Sequence, residues 1–270
     1  MNLLMIDDVR KRKPLVHHIT NYVTVNECAN ITLNLGALPV MAHAPEEVAE
    51  MVSVAGALVL NIGTLSKDQV RSMILAGKKA ASLGIPVILD PVGAGATELR
   101  TDSCHEILKE IPVAAVKGNA AEISILAGAD AKILGVESMG VFHDMAEVAC
   151  RFARERNCVV AVSGADDIVT DGNITYLVGN GHPLMGQFVG TGCMAASALG
   201  AFLALGENPV ESAAVALASF EIAAELASER PDVRGPGSFY PALMDEARML
   251  KGSTVETRSR IRKIPSPAVR

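Results

Sequence analysis

The stretch IPVILDPVG, residues 85–93, is an apolar run that ends in an aspartate, a proline and a glycine. An apolar run of this length without polar alternation is typical of a strand that is covered on both faces. The residues that follow the turn include SCHEILKEI (103–111), which has the composition of a helix. A strand, a turn and a helix in this order form the repeating unit of a parallel sheet.

The same pattern recurs along most of the chain and predicts an α/β fold. Each of five further apolar runs adjoins a predicted helix: LVHHIT (15–20), LPVMA (38–42), ALVLNIG (57–63), AAVKGN (114–119) and CVVAVSG (158–164). The helix after LVHHIT is predicted to begin at residue 21. The alternation favours right-handed crossovers and a mostly parallel central sheet with helices on both faces. No repeat or linker interrupts the pattern, so we predict a single domain over residues 1–270.

The last part of the chain departs from this pattern. Residues 166–180, DDIVTDGNITYLVGN, contain two short strand-like runs around an Asp-Gly-Asn turn, which predicts an antiparallel hairpin. From Cys193 onward the sequence is predicted to be mostly helical, and the tail after Lys251 is the part that the pattern determines least.

Composition excludes several classes of protein. Half of the 270 residues are hydrophobic, only 3% are aromatic, and the net charge is −6. A nucleic-acid-binding domain would be more basic and richer in stacking aromatics, so we expect no nucleic-acid partner. The two short basic runs, Arg10–Lys13 and Arg258–Lys263, are expected to be solvated ends of the fold.

Cysteine usage and the hydropathy pattern indicate a cytoplasmic protein with no membrane partner. The five cysteines are odd in number and contain no C-x-x-C pair, which argues against a disulfide framework or a zinc knuckle. The N-terminus has acids before its bases and lacks a long apolar core, so it does not resemble a signal peptide. The most apolar helical run, residues 209–230, carries four glutamates and is predicted to be a buried helix, not a membrane span.

In open parallel sheets, ligands bind beyond the carboxyl ends of the strands, and a glycine-rich loop is a candidate binding element of this type. GQFVGTGC, residues 186–193, has three glycines ahead of a predicted helix. Converging backbone N–H groups and the helix N-terminus would bind an anion such as a phosphoryl group. The loop lacks the lysine and hydroxyl of a P-loop, and a tightly packed helix start explains the same small residues.

Cys193 is placed in the first turn of that helix. A helix N-terminus lowers the pKa of a thiol and favours the thiolate, which could accept a proton from a substrate hydroxyl. Covalent attack would need a histidine partner, for which the sequence offers candidates but no placement. A buried, inert cysteine is the remaining alternative.

Other polar residues follow predicted strands. Asp90 could hold Mg²⁺, which pairs one or two carboxylates with phosphate oxygens. Asn119 and Glu122 are three residues apart at a helix start, where they could also form a capping box. Lys117 could contact a nucleotide phosphate as a point charge or could simply be solvated.

Two further strand ends carry weaker signals. Ser163, with the glycine after it, could contact a phosphate or form a plain turn. Met41 could line an apolar substrate pocket or fill the core.

Taken together, these segments resemble the hydroxyethylthiazole kinase family of the ribokinase-like superfamily. The carrying segments span most of the chain in order, and they are residues 17–47, NIGTL (61–65), ILDPVGAGAT (88–97), VKGNAAEI (116–123), VSGADDIVTDG (162–172) and residues 181–204. The resemblance implies a three-layer fold and transfer of the ATP γ-phosphoryl group, with Mg²⁺, to the alcohol of 4-methyl-5-(2-hydroxyethyl)thiazole. It also implies a homotrimer with active sites at subunit interfaces.

The resemblance further assigns roles to individual residues. Cys193 stands where sugar and pyrimidine kinases of this fold usually have an aspartate base. The implied substrate contacts are Met41, Gly190 and Asn21. The implied ATP contacts are Lys117, Ser163, Asn119 and Gly192, and the implied metal-site residues are Asp90 and Glu122. Lys117 departs from the arginine that many members have, and Ser163 from their threonine.

Two other enzymes of the same fold remain as alternatives. One is a nucleotide-dependent NAD(P)H-hydrate dehydratase, which is a lyase, and the other is a hydroxymethylpyrimidine kinase. Both usually carry aspartate at the position of Cys193, and the segment TNYVTVNECAN (20–30) also argues against the dehydratase.

Overall fold

The computed structural model describes residues 1–129 and 139–267 of the chain. The strands in these residues are β1 (Leu15–Ile19), β2 (Leu38–Met41), β3 (Ala57–Asn61), β4 (Val87–Asp90), β5 (Ala115–Asn119), β6 (Val159–Ser163), β7 (Asp167–Thr170), β8 (Thr175–Val178) and β9 (Ile261–Ile264). The helices are α1 (Met5–Arg12), α2 (Val25–Leu35), α3 (Val48–Ser53), α4 (Lys67–Ser82), α5 (Glu98–Glu110), α6 (Ala120–Leu126), α7 (Met139–Arg156), α8 (Thr191–Leu203), α9 (Pro209–Glu229), α10 (Pro236–Met249) and α11 (Gly252–Arg258).

All of these strands belong to one sheet with the order β2-β1-β3-β4-β5-β6-β7-β8-β9. The pairings from β2 to β6 are parallel, and those from β6 to β9 are antiparallel. The predicted mostly parallel sheet and the predicted hairpin of β7 and β8 are therefore confirmed.

Helices cover both faces of the sheet, as the unbroken apolar strands predict. One buried cluster joins the sheet to α1, α2, α8, α9 and α10, and a second joins it to α3 through α7. Neighbouring residues of β3 alternate between the two clusters: Ala57 and Val59 face the first, and Leu58 and Leu60 face the second. This three-layer arrangement is what a strand buried on both faces requires.

The chain reverses direction across the sheet between β1 and β3. Helix α2 leads from β1 to the edge strand β2 on one face, and α3 leads back to β3 on the other face. The crevice beyond the carboxyl ends of β1 and β3 is the topological switch point, where open α/β sheets bind ligands.

The structure differs from the sequence-based expectation at three elements. Helix α2 begins at Val25, not near residue 21, because the Asn21 side-chain oxygen accepts hydrogen bonds from the backbone N–H groups of Val23 and Thr24 and forms a turn. The N-terminal helix α1 was not expected. From Cys193 onward the chain is mostly helical, as predicted, but strand β9, which extends the sheet beside β8, was not expected.

The apolar helix α9 is buried within the protein, as predicted. Of its glutamates, Glu221 is buried within the fold, beside the cavities described below. Among the residues that the model describes, no helix is both long enough and apolar enough to cross a bilayer.

Gly200 allows α8 to lie directly on the sheet. A Cβ atom at this position would lie 2.6 Å from Val59 Cγ2 and 3.0 Å from Val16 Cγ1. We expect Gly200→Val to overpack this contact, at a cost of about 1–3 kcal/mol in the free energy of unfolding. Thermal unfolding measures the effect as a lowered Tm.

The matched control is Gly237→Val in α10, where an added Cβ meets nothing within 4 Å. This variant should change the Tm far less. An equal Tm for the two variants would contradict the close packing of α8 on β1 and β3.

Candidate functional site

A cavity of about 370 Å³ lies at the carboxyl ends of the parallel strands, beside the start of α8. With one exception, all the residues predicted for the site line this cavity. They are Asn21, Asp90, Lys117, Asn119, Glu122, Ser163, Gly190, Gly192 and Cys193.

The exception is Met41. It is the last residue of the edge strand β2 and is half-buried. It is not among the residues that line this cavity or the larger adjoining cavity described below. Its role as a substrate contact therefore stays a prediction.

Asn61 connects the two chemically important groups of the cavity. Its Nδ2 donates to Asp90 Oδ2 at 2.5 Å and to Cys193 Sγ at 3.2 Å. The parallel register pairs Asn61 with Asp90, so the amide and the carboxyl group leave the sheet side by side. One buried amide thus holds the acid and the thiol next to each other.

Asn21 supports the same group from β1. Its Nδ2 lies 2.9 Å from Asn61 Oδ1, 2.8 Å from Thr24 Oγ1 and 3.4 Å from Cys193 Sγ. An amide has only two hydrogens, so these three acceptors share them. Since its Oδ1 also holds the turn before α2, every polar atom of Asn21 is engaged.

The glycine loop places the first turn of α8 at the cavity. Gly190 precedes the helix with φ 110°, a left-handed conformation that favours glycine. A Cβ atom at Gly192 would lie 3.0 Å from Lys117 Nζ. The loop therefore brings the first N–H groups of the helix, which have no partners within it, next to a buried ammonium group. This pair of features suits an anion.

Burial raises the pKa of the Asp90 carboxyl group above its ordinary value. The Lys117 ammonium counteracts this effect, while the Glu122 carboxylate adds to it. The site thus holds two acids against one base. A bound cation or a transferable proton would reduce this imbalance.

The pKa of the Cys193 thiol is raised, although a helix N-terminus by itself would lower it. Burial raises the pKa, and the neighbouring Asp90 carboxylate raises it further, whereas the hydrogen bonds from Thr24 and Asn61 only partly oppose them. Desolvation and a like charge therefore outweigh the helix N-terminus. At neutral pH the group is a thiol, which can donate and accept hydrogen bonds.

Glu122 and Asn119 form the capping box that their spacing predicted. The Glu122 N–H donates to Asn119 Oδ1 at 2.9 Å, and the Asn119 N–H donates to Glu122 Oε2 at 2.8 Å. The other carboxylate oxygen accepts from the Gly93 N–H at 2.8 Å. Because both oxygens of Glu122 are engaged, they are better placed to bind the water shell of a metal ion than the ion itself.

The acids of the site fit Mg²⁺ by their chemistry. Asp90 and Glu122 supply hard oxygen atoms, and Mg²⁺ typically keeps several waters while binding one or two carboxylates. The described residues contain no group of three or more histidines, cysteines or acids arranged to hold a metal by themselves.

A second cavity of about 590 Å³ adjoins the first. The two share a wall formed by Lys117, Ser163 and Gly192. The rest of its lining includes the apolar side chains of Met185 and Phe220 together with polar groups. A larger and a smaller ligand could therefore meet at the shared wall.

The larger cavity also contains a carboxyl pair that the sequence did not indicate. Asp167 and Glu221 are both buried at its lining. Burial raises the pKa of both groups, and the pKa of Glu221 is raised further by Asp167. Burial and the neighbouring Asp167 thus favour the uncharged form of Glu221, which lowers the negative charge of this part of the cavity.

Sequence reasoning missed two supporting residues. Asn61 ends a strand in NIGTL, and the strand-end rule could have selected it. Arg100 had no such signal, because it lies inside α5. Its guanidinium donates to the carbonyl groups of Ile62, Gly63 and Val92 and fixes the turns after β3 and β4.

Comparison with known proteins yields one family. The model of the hydroxyethylthiazole kinase family matches residues 6–252. A hydroxyethylthiazole kinase of Methanocella arvoryzae is 56% identical over 258 residues, which are 96% of each chain. Another, from Thermoanaerobacter sp. (strain X514), is 56% identical over 92% of this chain and 94% of its own.

Solved structures agree with this result. The hydroxyethylthiazole kinase of Pyrococcus horikoshii OT3 superposes with a TM-score of 0.89 and 44% identity, covering 97% of this chain and 98% of its own. A Staphylococcus aureus pyridoxal kinase structure with ADP has a TM-score of 0.57 at 15% identity, covering 93% and 99% of the two chains, and shares the fold alone. The ribokinase-like fold is thus confirmed.

The raised pKa of Cys193 makes its reactivity a direct test of the site. In the metal-free protein, we expect iodoacetamide to alkylate Cys193 slowly at pH 7.5, with a rate that rises through a midpoint above the ordinary thiol value of about 8.5. Asp90→Asn removes a negative charge, so its midpoint should be lower. Mass spectrometry of the labelled peptide gives both rates.

Cys193→Ser identifies the alkylation that belongs to Cys193. This alkylation should disappear in the variant, while alkylation of the other buried cysteines should stay unchanged. Alkylation of Cys193 that is faster than that of free cysteine at pH 7.5 would contradict the geometry, and so would an unchanged midpoint in Asp90→Asn.

Proposed function

The chain belongs to the hydroxyethylthiazole kinase family, and from this premise we propose that it transfers the γ-phosphoryl group of ATP to the hydroxyl of 4-methyl-5-(2-hydroxyethyl)thiazole in thiamine salvage. The observation that carries the proposal is the wall that the two cavities share. The larger cavity suits a nucleotide and the smaller one suits a small alcohol. The phosphoryl group would cross between them beside Lys117, Ser163 and Gly192.

Charge stabilisation at this wall accounts for most of the catalysis in the proposal. Phosphoryl transfer proceeds through a loose transition state that needs positioning and positive charge more than covalent help. The first N–H groups of α8 and the buried Lys117 ammonium supply that charge without further rearrangement. Asn119 lies at the rim of the smaller cavity, within reach of phosphate oxygens in this arrangement.

Cys193 receives the substrate hydroxyl in the proposal. As a thiol held by Asn61 and Asn21, it orients the alcohol. Once the new bond to phosphorus has largely formed, its sulfur takes up the hydroxyl proton while the thiol's own proton passes to a neighbouring acceptor. A protonated thiol is a poor early base, but a loose transition state does not need early deprotonation. Asn61 holds the Asp90 carboxylate next to Cys193, so Asp90 can receive the proton that the thiol gives up.

Asp90 and Glu122 are proposed to hold Mg²⁺, Glu122 through water because its oxygens bind backbone N–H groups. The ion would neutralise negative charge on the ATP phosphates. This chain's own contribution is the buried, rigid placement of the two acids at the end of β4 and the start of α6.

We further propose a homotrimer whose active sites lie at subunit interfaces. Apolar side chains at the mouth of the smaller cavity, including Val23 and Val189, are exposed in the single chain, as is Tyr22 nearby. Met41, on the edge strand, would contact substrate from the neighbouring subunit. Sedimentation should then give a mass three times the 28.2 kDa of the chain. A cytoplasmic location stays a prediction.

The function is tested by ADP formation in the presence of Mg²⁺ and ATP. We expect ADP only when the thiazole alcohol is added, and hydroxymethylpyrimidine and ribose should neither replace it nor compete strongly. A dehydratase would instead form ADP only with hydrated NAD(P)H. Folded protein that forms no ADP with the thiazole alcohol would refute the proposal.

Substitution of Cys193 separates its roles. We expect Cys193→Ala to lower kcat about tenfold to a hundredfold. This effect is at or below the smallest rate enhancement that a general base usually contributes, because a loose transition state needs little base catalysis. Cys193→Asp should retain activity, since a carboxylate can also accept the proton. Steady-state kinetics with saturating ATP measure both effects.

Cys158→Ala is the control, because this buried cysteine precedes β6 and does not line the cavities. It should leave kcat unchanged. An unchanged kcat in Cys193→Ala would remove the proton-acceptor role, and complete loss in Cys193→Asp would mean that the site requires a thiol.

A further inference from the structure

The C-terminal tail lies behind one wall of the larger cavity. Gly179, Asn180, Gly181 and His182 form the loop after β8 and line this cavity. Strand β9 pairs with β8 immediately before the loop. The tail after residue 252 is outside the region that matches the family model, and it was expected to be a solvated basic run.

Arg260 binds the first half of the loop from behind. Its Nε donates to the Gly179 carbonyl oxygen at 2.6 Å, and its backbone N–H donates to Asn180 Oδ1 at 2.8 Å. In return, its carbonyl oxygen accepts from the Gly179 N–H at 3.2 Å. These three bonds fix both the backbone at Gly179 and the side chain of Asn180.

Glu225 of α9 connects the same arginine to the second half of the loop. Its Oε1 accepts from Arg260 Nη2 at 2.6 Å, from Asn180 Nδ2 at 3.1 Å and from the Gly181 N–H at 2.9 Å. The Glu225 side chain is only 13% exposed. A nearly buried carboxylate with three donors holds its neighbours in one arrangement.

The effect of Arg260 is local. Its side chain is 54% exposed, and an ion pair at such a position contributes little to global stability. Its importance lies in what it orients. Glu225 is one helical turn beyond Glu221, which lines the cavity, and the loop itself lies against Glu221 at Gly181.

We propose that Arg260 is a positioning residue that holds the loop 179–182 in the shape required to bind the nucleotide. This inference rests on the proposed function only in assigning the nucleotide to the larger cavity. Without the guanidinium, the Gly179 carbonyl group loses a hydrogen-bond donor. Glu225 then keeps two neutral donors, Asn180 Nδ2 and the Gly181 N–H. The two glycines of the loop then leave its backbone free to move away from the cavity.

The test compares Arg260→Ala with Arg258→Ala. Both remove an arginine from the tail and an ion pair with α9. Among the described residues, the Arg258 side chain binds Glu229 and makes no hydrogen bond to the loop. Calorimetry with Mg²⁺ and AMP-PCP, a non-hydrolysable ATP analogue, gives the nucleotide Kd, and a parallel titration gives the Kd of the thiazole alcohol.

We expect Arg260→Ala to raise the Kd of AMP-PCP about threefold to thirtyfold, a range typical of residues that act without touching the ligand. The Kd of the thiazole alcohol should stay within about twofold, as should both constants in Arg258→Ala. Arg260→Lys should recover part of the affinity, because its ammonium can still reach Glu225 but cannot also bind Gly179.

Three results would overturn the inference: equal AMP-PCP affinity in Arg260→Ala and the wild type, equal weakening of both ligands, or no AMP-PCP binding by the wild type. These measurements need no turnover. A protein that binds AMP-PCP, loses affinity in Arg260→Ala and yet phosphorylates no thiazole alcohol would support the positioning role and refute the proposed function.

Discussion

The parallel register of β3 and β4 places Asn61 opposite Asp90, and the chemistry of the site depends on that pairing. One buried amide donates to the carboxylate and to the thiol of Cys193, which arrives from α8 on the adjacent layer. Three elements distant in sequence are therefore joined by the two hydrogens of one side chain. Arg100 fixes the turns on either side of this pairing through backbone carbonyl groups.

The balance of burial and charge then decides what each group can do. Lys117 offsets only part of the negative charge of Asp90 and Glu122, so these acids favour a cation or a proton beside them. The N–H groups at the start of α8 suit an anion instead. The same burial keeps Cys193 protonated, so the group is a hydrogen-bonding thiol and not the thiolate that a helix N-terminus favours. A thiol in this position suits a reaction whose transition state depends more on the positions of the reacting groups than on a strong base.

Much of this could be predicted from local patterns. Apolar runs such as residues 85–89 indicated strands covered on both faces, and the rule that ligands bind at strand ends selected Asp90, Lys117 and Ser163 before any contact was known. The spacing of Asn119 and Glu122 predicted their capping box, since that motif involves only four consecutive residues. Helix α2 began later than predicted because Asn21 uses its side chain to form a turn.

The sequence by itself determined the three-layer architecture, the glycine loop before α8 and the family resemblance, because these depend on the order and periodicity of neighbouring residues. Only the tertiary structure decided the pKa of Cys193, the bridging role of Asn61 and the attachment of the tail by Arg260. Each of these depends on groups 29 to 172 residues apart, whose distance and burial exist only once the chain is folded. Desolvation and charge act through space. For that reason Cys193 is a thiol, although its position at a helix N-terminus favours a thiolate.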